Sequence, residues 1–129
     1  MVYKKTECQS NLIKDVIKGA IHQEANTGSQ VLWRAIGIDP SGNIKVVNTS
    51  DCAMEITITR KGDPEQVTMM VLPYKERVMS VSCMERVELI AIGSNHTICT
   101  GKFCLDIYYC LSCCTCHEPS EKCVKWEGR

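Results

Sequence analysis

The residues best equipped for chemistry are the cysteines, ten in a chain of 129. Five of them, Cys110, Cys113, Cys114, Cys116 and Cys123, crowd together near the C-terminal end. Thiols can bind a metal, catalyse redox exchange, hold a fold or join chains. For metal, Cys113, Cys116, His117 and Cys123 have the types and spacing of a tetrahedral zinc site, though the usual second CxxC knuckle is missing. For redox catalysis, Cys113-Cys114-Thr115-Cys116 contains a CxxC, but it does not follow a strand into a helix N-terminus, where a thiolate would be stabilised. Cross-linking needs cysteines that are exposed or near chain ends, and Cys8 and the C-terminal cluster fit. Adjacent Cys113 and Cys114 have Cα atoms ~3.8 Å apart, too close for a disulfide between them, so they reach for different partners. Small secreted domains use disulfides because their cores are small. A chain of this length buries a core without that help, so its thiols are expected to do other work.

Other chemistry is excluded more simply. Gly101-Lys102 lacks the remaining residues of a phosphate-binding loop, and there is no nucleophile elbow and no metalloprotease motif. His22 and His96 are isolated and read as surface residues. The chain is not expected to be an enzyme, and no cofactor is expected. Lys and Arg number 15, as do Asp and Glu, and this zero balance argues against nucleic acid. No apolar run is long enough to span a membrane or to serve as a signal peptide, so synthesis in a cytosol is expected. Asn48-Thr49-Ser50 and Asn95-His96-Thr97 then read as chance matches to the glycosylation pattern.

The elements that must position the thiols are mostly strands. Residues 10–21 carry apolar residues at helical spacing but are rich in Val and Ile, and helix and strand both stay open there. From residue 30 onward the period is two. Gln30–Ile38 and Asn43–Asn48 read as a hairpin around Asp39-Pro40-Ser41-Gly42, with Pro fixing φ and Gly accepting a positive one. Cys52–Thr59, Val67–Leu72, Arg77–Cys83, Arg86–Ile92 and about Thr100–Leu111 follow. Met54, Met69, Met70, Met79 and Met84 read as core filler. Seven or eight short strands with turns between them indicate an all-β antiparallel sandwich or jelly roll. The expected organisation is an N-terminal arm over 1–29, a β core over 30–111 and a Cys-rich tail over 112–129. In the last strand Phe103, Leu105, Ile107 and Tyr109 share the core face, whereas Cys104, Asp106, Tyr108 and Cys110 share the other. Asp106 marks that second face as wet, so Cys104 and Cys110 are expected to be exposed; the alternative is that they are small buried hydrophobes. Cys52 and Cys83 read as residues of the body.

Val31-Leu32-Trp33, Gly42-Asn43-Ile44-Lys45-Val46-Val47-Asn48, Val71-Leu72-Pro73 and Gly101-Lys102-Phe103-Cys104-Leu105-Asp106-Ile107 together resemble the endospore appendage family, the pilus-like fibres on spores of the Bacillus cereus group. The resemblance covers roughly residues 8–111. It implies a jelly-roll subunit whose sheets augment those of its neighbours, giving a homo-oligomer as fibre or ring. It implies an N-terminal connector whose cysteine, here Cys8, forms a disulfide to another subunit, with Cys104 or Cys110 as acceptor. It also implies a spore-surface location, oxidation after mother-cell lysis and contact with other spore-surface proteins. The chain has one connector cysteine where the fibre subunits carry several, and its Cys-rich tail is not typical of them. An accessory role as ring, base or anchor is therefore expected alongside a plain fibre subunit. Across arm, core and tail, the candidates for bonds between chains are Cys8, Cys104, Cys110, Cys113, Cys114, Cys116 and Cys123. A small β-domain holding zinc in its tail is the alternative.

Overall fold

A computed structural model describes residues 12–36, 40–62 and 65–110. Among them are eight strands: β1 (Leu12–Glu24), β2 (Ser29–Arg34), β3 (Ser41–Asn48), β4 (Ala53–Arg60), β5 (Val67–Val71), β6 (Glu76–Val81), β7 (Met84–Ile92) and β8 (Ile98–Cys110). They form two four-stranded antiparallel sheets, one in the order β1-β8-β3-β6 and the other β2-β7-β4-β5. Only β4 and β5 are consecutive neighbours within one sheet; every other connection crosses between sheets. This is a jelly-roll sandwich, as the strand rhythm and the family resemblance imply.

Period-two alternation builds the core. In β4, Met54, Ile56 and Ile58 are fully buried, and in β3, Ile44 and Val46 face them from the opposite sheet. Leu105 and Ile107 of β8 and Val87 and Leu89 of β7 complete the two inner faces. Met54, Met69 and Met84 are buried and Met79 is half-buried, but Met70 points outward from β5 and is exposed.

Three sequence expectations change. Residues 12–24, placed in the arm, form β1, which pairs with β8 along its whole length from Leu12↔Cys110 to Glu24↔Ile98. Val and Ile supply the strand propensity, and the tertiary ladder decides the ambiguity. β2 and β3 are not a hairpin: β2 pairs with β7, whereas β3 pairs with β6 and β8. Gly42 does not sit in a turn with positive φ but inside β3, where a Cβ would collide with the backbone carbonyl oxygen of Asp106.

The sandwich has two unlike poles. At one, the chain enters at Leu12 and leaves at Cys110, side by side, and β6 turns into β7 through Ser82 and Cys83. At the other, Cys52, just before β4, is bonded to Cys99 of β8, with Cα atoms 5.7 Å apart. Both sulfurs belong to fully buried residues, and their bond joins the two sheets. So at least two of the ten cysteines hold the fold, contrary to the expectation that the thiols work elsewhere.

Beside that bond lies a buried amide. Asn48 donates through Nδ2 to the carbonyl oxygens of Cys52 at 2.6 Å, Val71 at 3.2 Å and Leu72 at 3.2 Å. Its Oδ1 accepts from the Ser50 amide at 3.0 Å and the Ser50 hydroxyl at 2.8 Å. The sequon Asn48-Thr49-Ser50 is thus an internal clamp with its asparagine out of solvent.

Candidate functional site: an unpaired thiol on the outer face of a sheet

The division of β8 into two faces follows from its alternation. Leu105 and Ile107 are buried, Phe103 and Tyr109 pack against the core, and Cys104, Asp106 and Tyr108 lie on the opposite face, half-buried. Cys104 is unpaired, and its thiol opens on the outer surface of the β1-β8-β3-β6 sheet. The register sets its neighbours: Lys18 of β1 stands opposite on one side and Lys45 of β3 on the other. Lys102 is the next residue along β8 on the same face. One thiol is therefore ringed by three exposed cationic side chains.

A shallow concavity of about 540 Å³ surrounds it, lined by Lys18, Ala20, Lys45, Val47, Lys102 and Cys104, among others. Gly19 of β1 stands opposite Phe103, and a Cβ there would strike the Phe103 ring. Lys45 Nζ lies 3.7 Å from Glu76 Oε2, an exposed ion pair worth ~0–1 kcal/mol. Lys14 Nζ sits 5.6 Å from the centre of the Tyr108 ring on the same face. The three cations favour approach of an acidic or neutral segment, and a disulfide carried on such a segment could exchange with the Cys104 thiol, releasing one of its own thiols.

The other predicted site residues separate into groups. The backbone of Cys110 is described and pairs with Leu12. Cys8, Cys113, Cys114, Cys116, His117 and Cys123 lie outside the described residues, and the zinc alternative lies there with them. Among the described residues no three His, Cys, Asp or Glu side chains converge in a way that could hold a metal ion. His22 and His96 are exposed, and His96 Nδ1 lies 3.1 Å from Glu24 Oε2. Cys83 is half-buried and disulfide-bonded.

Cys99 escaped the sequence reading. The signal was present in its parity: it shares the inward face with Phe103, Leu105 and Ile107, as Cys52 does with Met54 and Ile56. Two inward cysteines on different sheets of one sandwich are candidates for each other.

The sheet edges matter as much as the thiol. β1 and β6 end one sheet, and β2 and β5 end the other. A register shift between Val31 and Trp33 interrupts β2, and Arg77 Nη1 donates to the Met70 carbonyl of β5 at 3.1 Å. β1 and β6 pair with their neighbours in unbroken register, and each keeps one side of its backbone open within the described sandwich.

Comparison with known proteins agrees with this architecture. No curated protein matches the chain. A solved structure described as "Bacillus endospore appendages form a novel family of disulfide-linked pili" is similar, with TM-score 0.60 at 21% identity over 79% of this chain and 90% of that one. At that identity the likeness establishes the fold. A family model described as endospore appendages matches residues 3–111, most of the sequence and all eight strands. The chain belongs to the endospore appendage family.

Proposed function

We propose that this chain is a self-assembling structural subunit or accessory protein of disulfide-cross-linked endospore appendages at the spore surface. The observation that carries the proposal is Cys104: an unpaired thiol on an open sheet face, in a domain whose buried cysteines are already bonded to each other. Pairing of open edge strands between copies would supply the contact, and thiols would lock it. Cys8 on the arm is the donor in this reading, with Cys104 as acceptor; Cys110, Cys113, Cys114, Cys116 and Cys123 are further candidates for bonds between chains. The thiols would oxidise once the protein leaves the reducing mother cell. An accessory place as ring, base or anchor is favoured over a plain fibre subunit, because the family match stops at residue 111 and leaves a cysteine-dense segment beyond it.

Electrophoresis with and without reductant, joined to negative-stain microscopy, tests this. Ladders that collapse on reduction, with rings or fibres on the grid, are expected. Cys104→Ser should remove most of the ladder while leaving the fold intact. A wild-type protein that stays monomeric after air oxidation sinks the proposal.

A further inference from the structure

The disulfide on Cys83 is not accounted for by the cysteines of the sandwich body. Cys52 and Cys99 are bonded to each other and Cys104 is unpaired, so the partner of Cys83 is a cysteine outside that set. Cys83 also occupies an uncommon conformation. Its φ is 58°, in the left-handed region that costs a side-chain-bearing residue about 1 kcal/mol or more. A cysteine held there, at the corner where β6 crosses to the other sheet, is a backbone outlier in need of a reason.

Geometry narrows the partner. Along the β8-β3-β6 side of the sheet, Tyr108 lies opposite Ser41, and the neighbouring Gly42 lies opposite Val81. The chain therefore leaves β8 two strand spacings, ~10 Å, from the corner that carries Cys83. Cys113 is five residues beyond Tyr108, a reach of up to ~17 Å, so it and the later cysteines can cross. Cys110 is held in β8 opposite Leu12 and cannot come within the ~4.4–6.8 Å Cα separation of a disulfide. Cys8 must start from Leu12 on β1, three spacings or ~14 Å away, one strand farther from Cys83 than the segment that leaves β8. A shallow, open groove of about 440 Å³ lies at this end of the sheet, lined by Ser41, Gly42, Ser80, Ser82 and Tyr108, among others. Its small side chains leave room for a backbone to lie across the sheet end.

We infer that this groove is a docking site for the chain's own C-terminal tail, closed by a disulfide from Cys83 to one of Cys113, Cys114, Cys116 and Cys123. As the bond forms, two thiols give up two electrons and two protons to molecular oxygen, or to a low-molecular-weight disulfide that is reduced to two thiols. The clip folds one tail cysteine back onto the chain and leaves the others for neighbours. It also lays the tail over the end of β6, an edge strand. The inference stands apart from the assembly proposal, because the bond is within one chain.

The experiment uses full-length chains, unlabelled and ¹⁵N-labelled in equal amounts, mixed while reduced and then oxidised in air. Free thiols are alkylated, and the whole oxidised sample is cut without reductant by trypsin and chymotrypsin, which together separate Cys104, Cys110 and the tail. Mass spectrometry should find the Cys83 peptide joined to a peptide from 112–129 of the same isotope label. Cys83→Ser should speed tryptic cleavage at Lys122 and Lys125 about tenfold, with unchanged circular dichroism. A Cys83 peptide joined to Cys8 or Cys110, one of mixed isotope label, or one alkylated as a free thiol would overturn the inference.

Discussion

Cys52 and Cys99 tie the two sheets together at the pole farthest from where the chain enters and leaves the sandwich. The bond closes a loop of 47 residues in sequence separation. On the chain-entropy account such a loop contributes about 4 kcal/mol by restricting the unfolded chain. The double variant Cys52→Ala, Cys99→Ala should lower unfolding free energy by about 3–4 kcal/mol in urea titrations under oxidising conditions. Against reduced wild type the difference should shrink. An unchanged midpoint in both comparisons would show that the staple is incidental.

Asn48 sits beside that bond and satisfies the carbonyls of Cys52, Val71 and Leu72 from one amide. Asn48→Ala removes those donors in a buried place, where each unsatisfied group costs ~1–3 kcal/mol. We expect a loss of about 3 kcal/mol, and about 1 kcal/mol for Ser50→Ala, measured by thermal and urea unfolding. Equal effects from the two variants would refute the clamp.

Gly42 and Gly19 are both needed for close approach, but against different neighbours. At Gly42 the obstacle is the Asp106 backbone, which cannot give; at Gly19 it is the Phe103 ring, which can tilt. Gly42→Ala should cost about 2–3 kcal/mol and Gly19→Ala less than about 1.5 kcal/mol. The reverse order in unfolding experiments would contradict the packing described.

Lys18 and Lys45 flank Cys104 in register, so a negatively charged disulfide reagent should modify it faster than a neutral one of similar size. The advantage should fade above ~0.1 M salt and shrink in Lys18→Gln, Lys45→Gln. Peptide-level mass spectrometry reads the rate at Cys104 alone. Salt-independent labelling would remove the lysines from the chemistry.

Tyr109 donates its hydroxyl to Asp15 Oδ2 at 3.1 Å, joining β8 to β1. That bond to the carboxylate, then desolvation and the nearby charge, raise its pKa above the ordinary 10.0. The folded state thus holds a proton that the unfolded chain gives up. Stability from this contact is complete below pH 10 and is lost as pH climbs beyond it. In an ultraviolet titration Tyr109 should ionise above pH 10, and Tyr109→Phe should delete that phase while flattening stability above pH 10.

What the sequence made legible was local. Strict alternation in Cys52–Thr59 and in Phe103–Tyr109 places strands, faces and much of the core, and it placed Cys104 outward. What it hid was non-local. Nothing in residues 12–24 says that β8 will pair with them and select strand over helix. The turn-like Asp39-Pro40-Ser41-Gly42 suggested a hairpin, yet the chain crosses there to the other sheet. Gly42 reads as a turn residue until the Asp106 carbonyl is seen beside it. Cys52 and Cys99 are far apart in the chain, and only the stacking of two sheets brings them together.

The pairing of β1 with β8 also has a mechanical meaning. Suppose tension enters one subunit at Leu12 through its arm and leaves through a neighbour's bond to Cys104. The load then passes from β1 to β8 across their shared ladder, thirteen residues long on each strand. The remaining six strands and the core between the sheets stay outside the load path. Such a subunit would be strained along a single seam, and the β1–β8 ladder would set how much tension it bears.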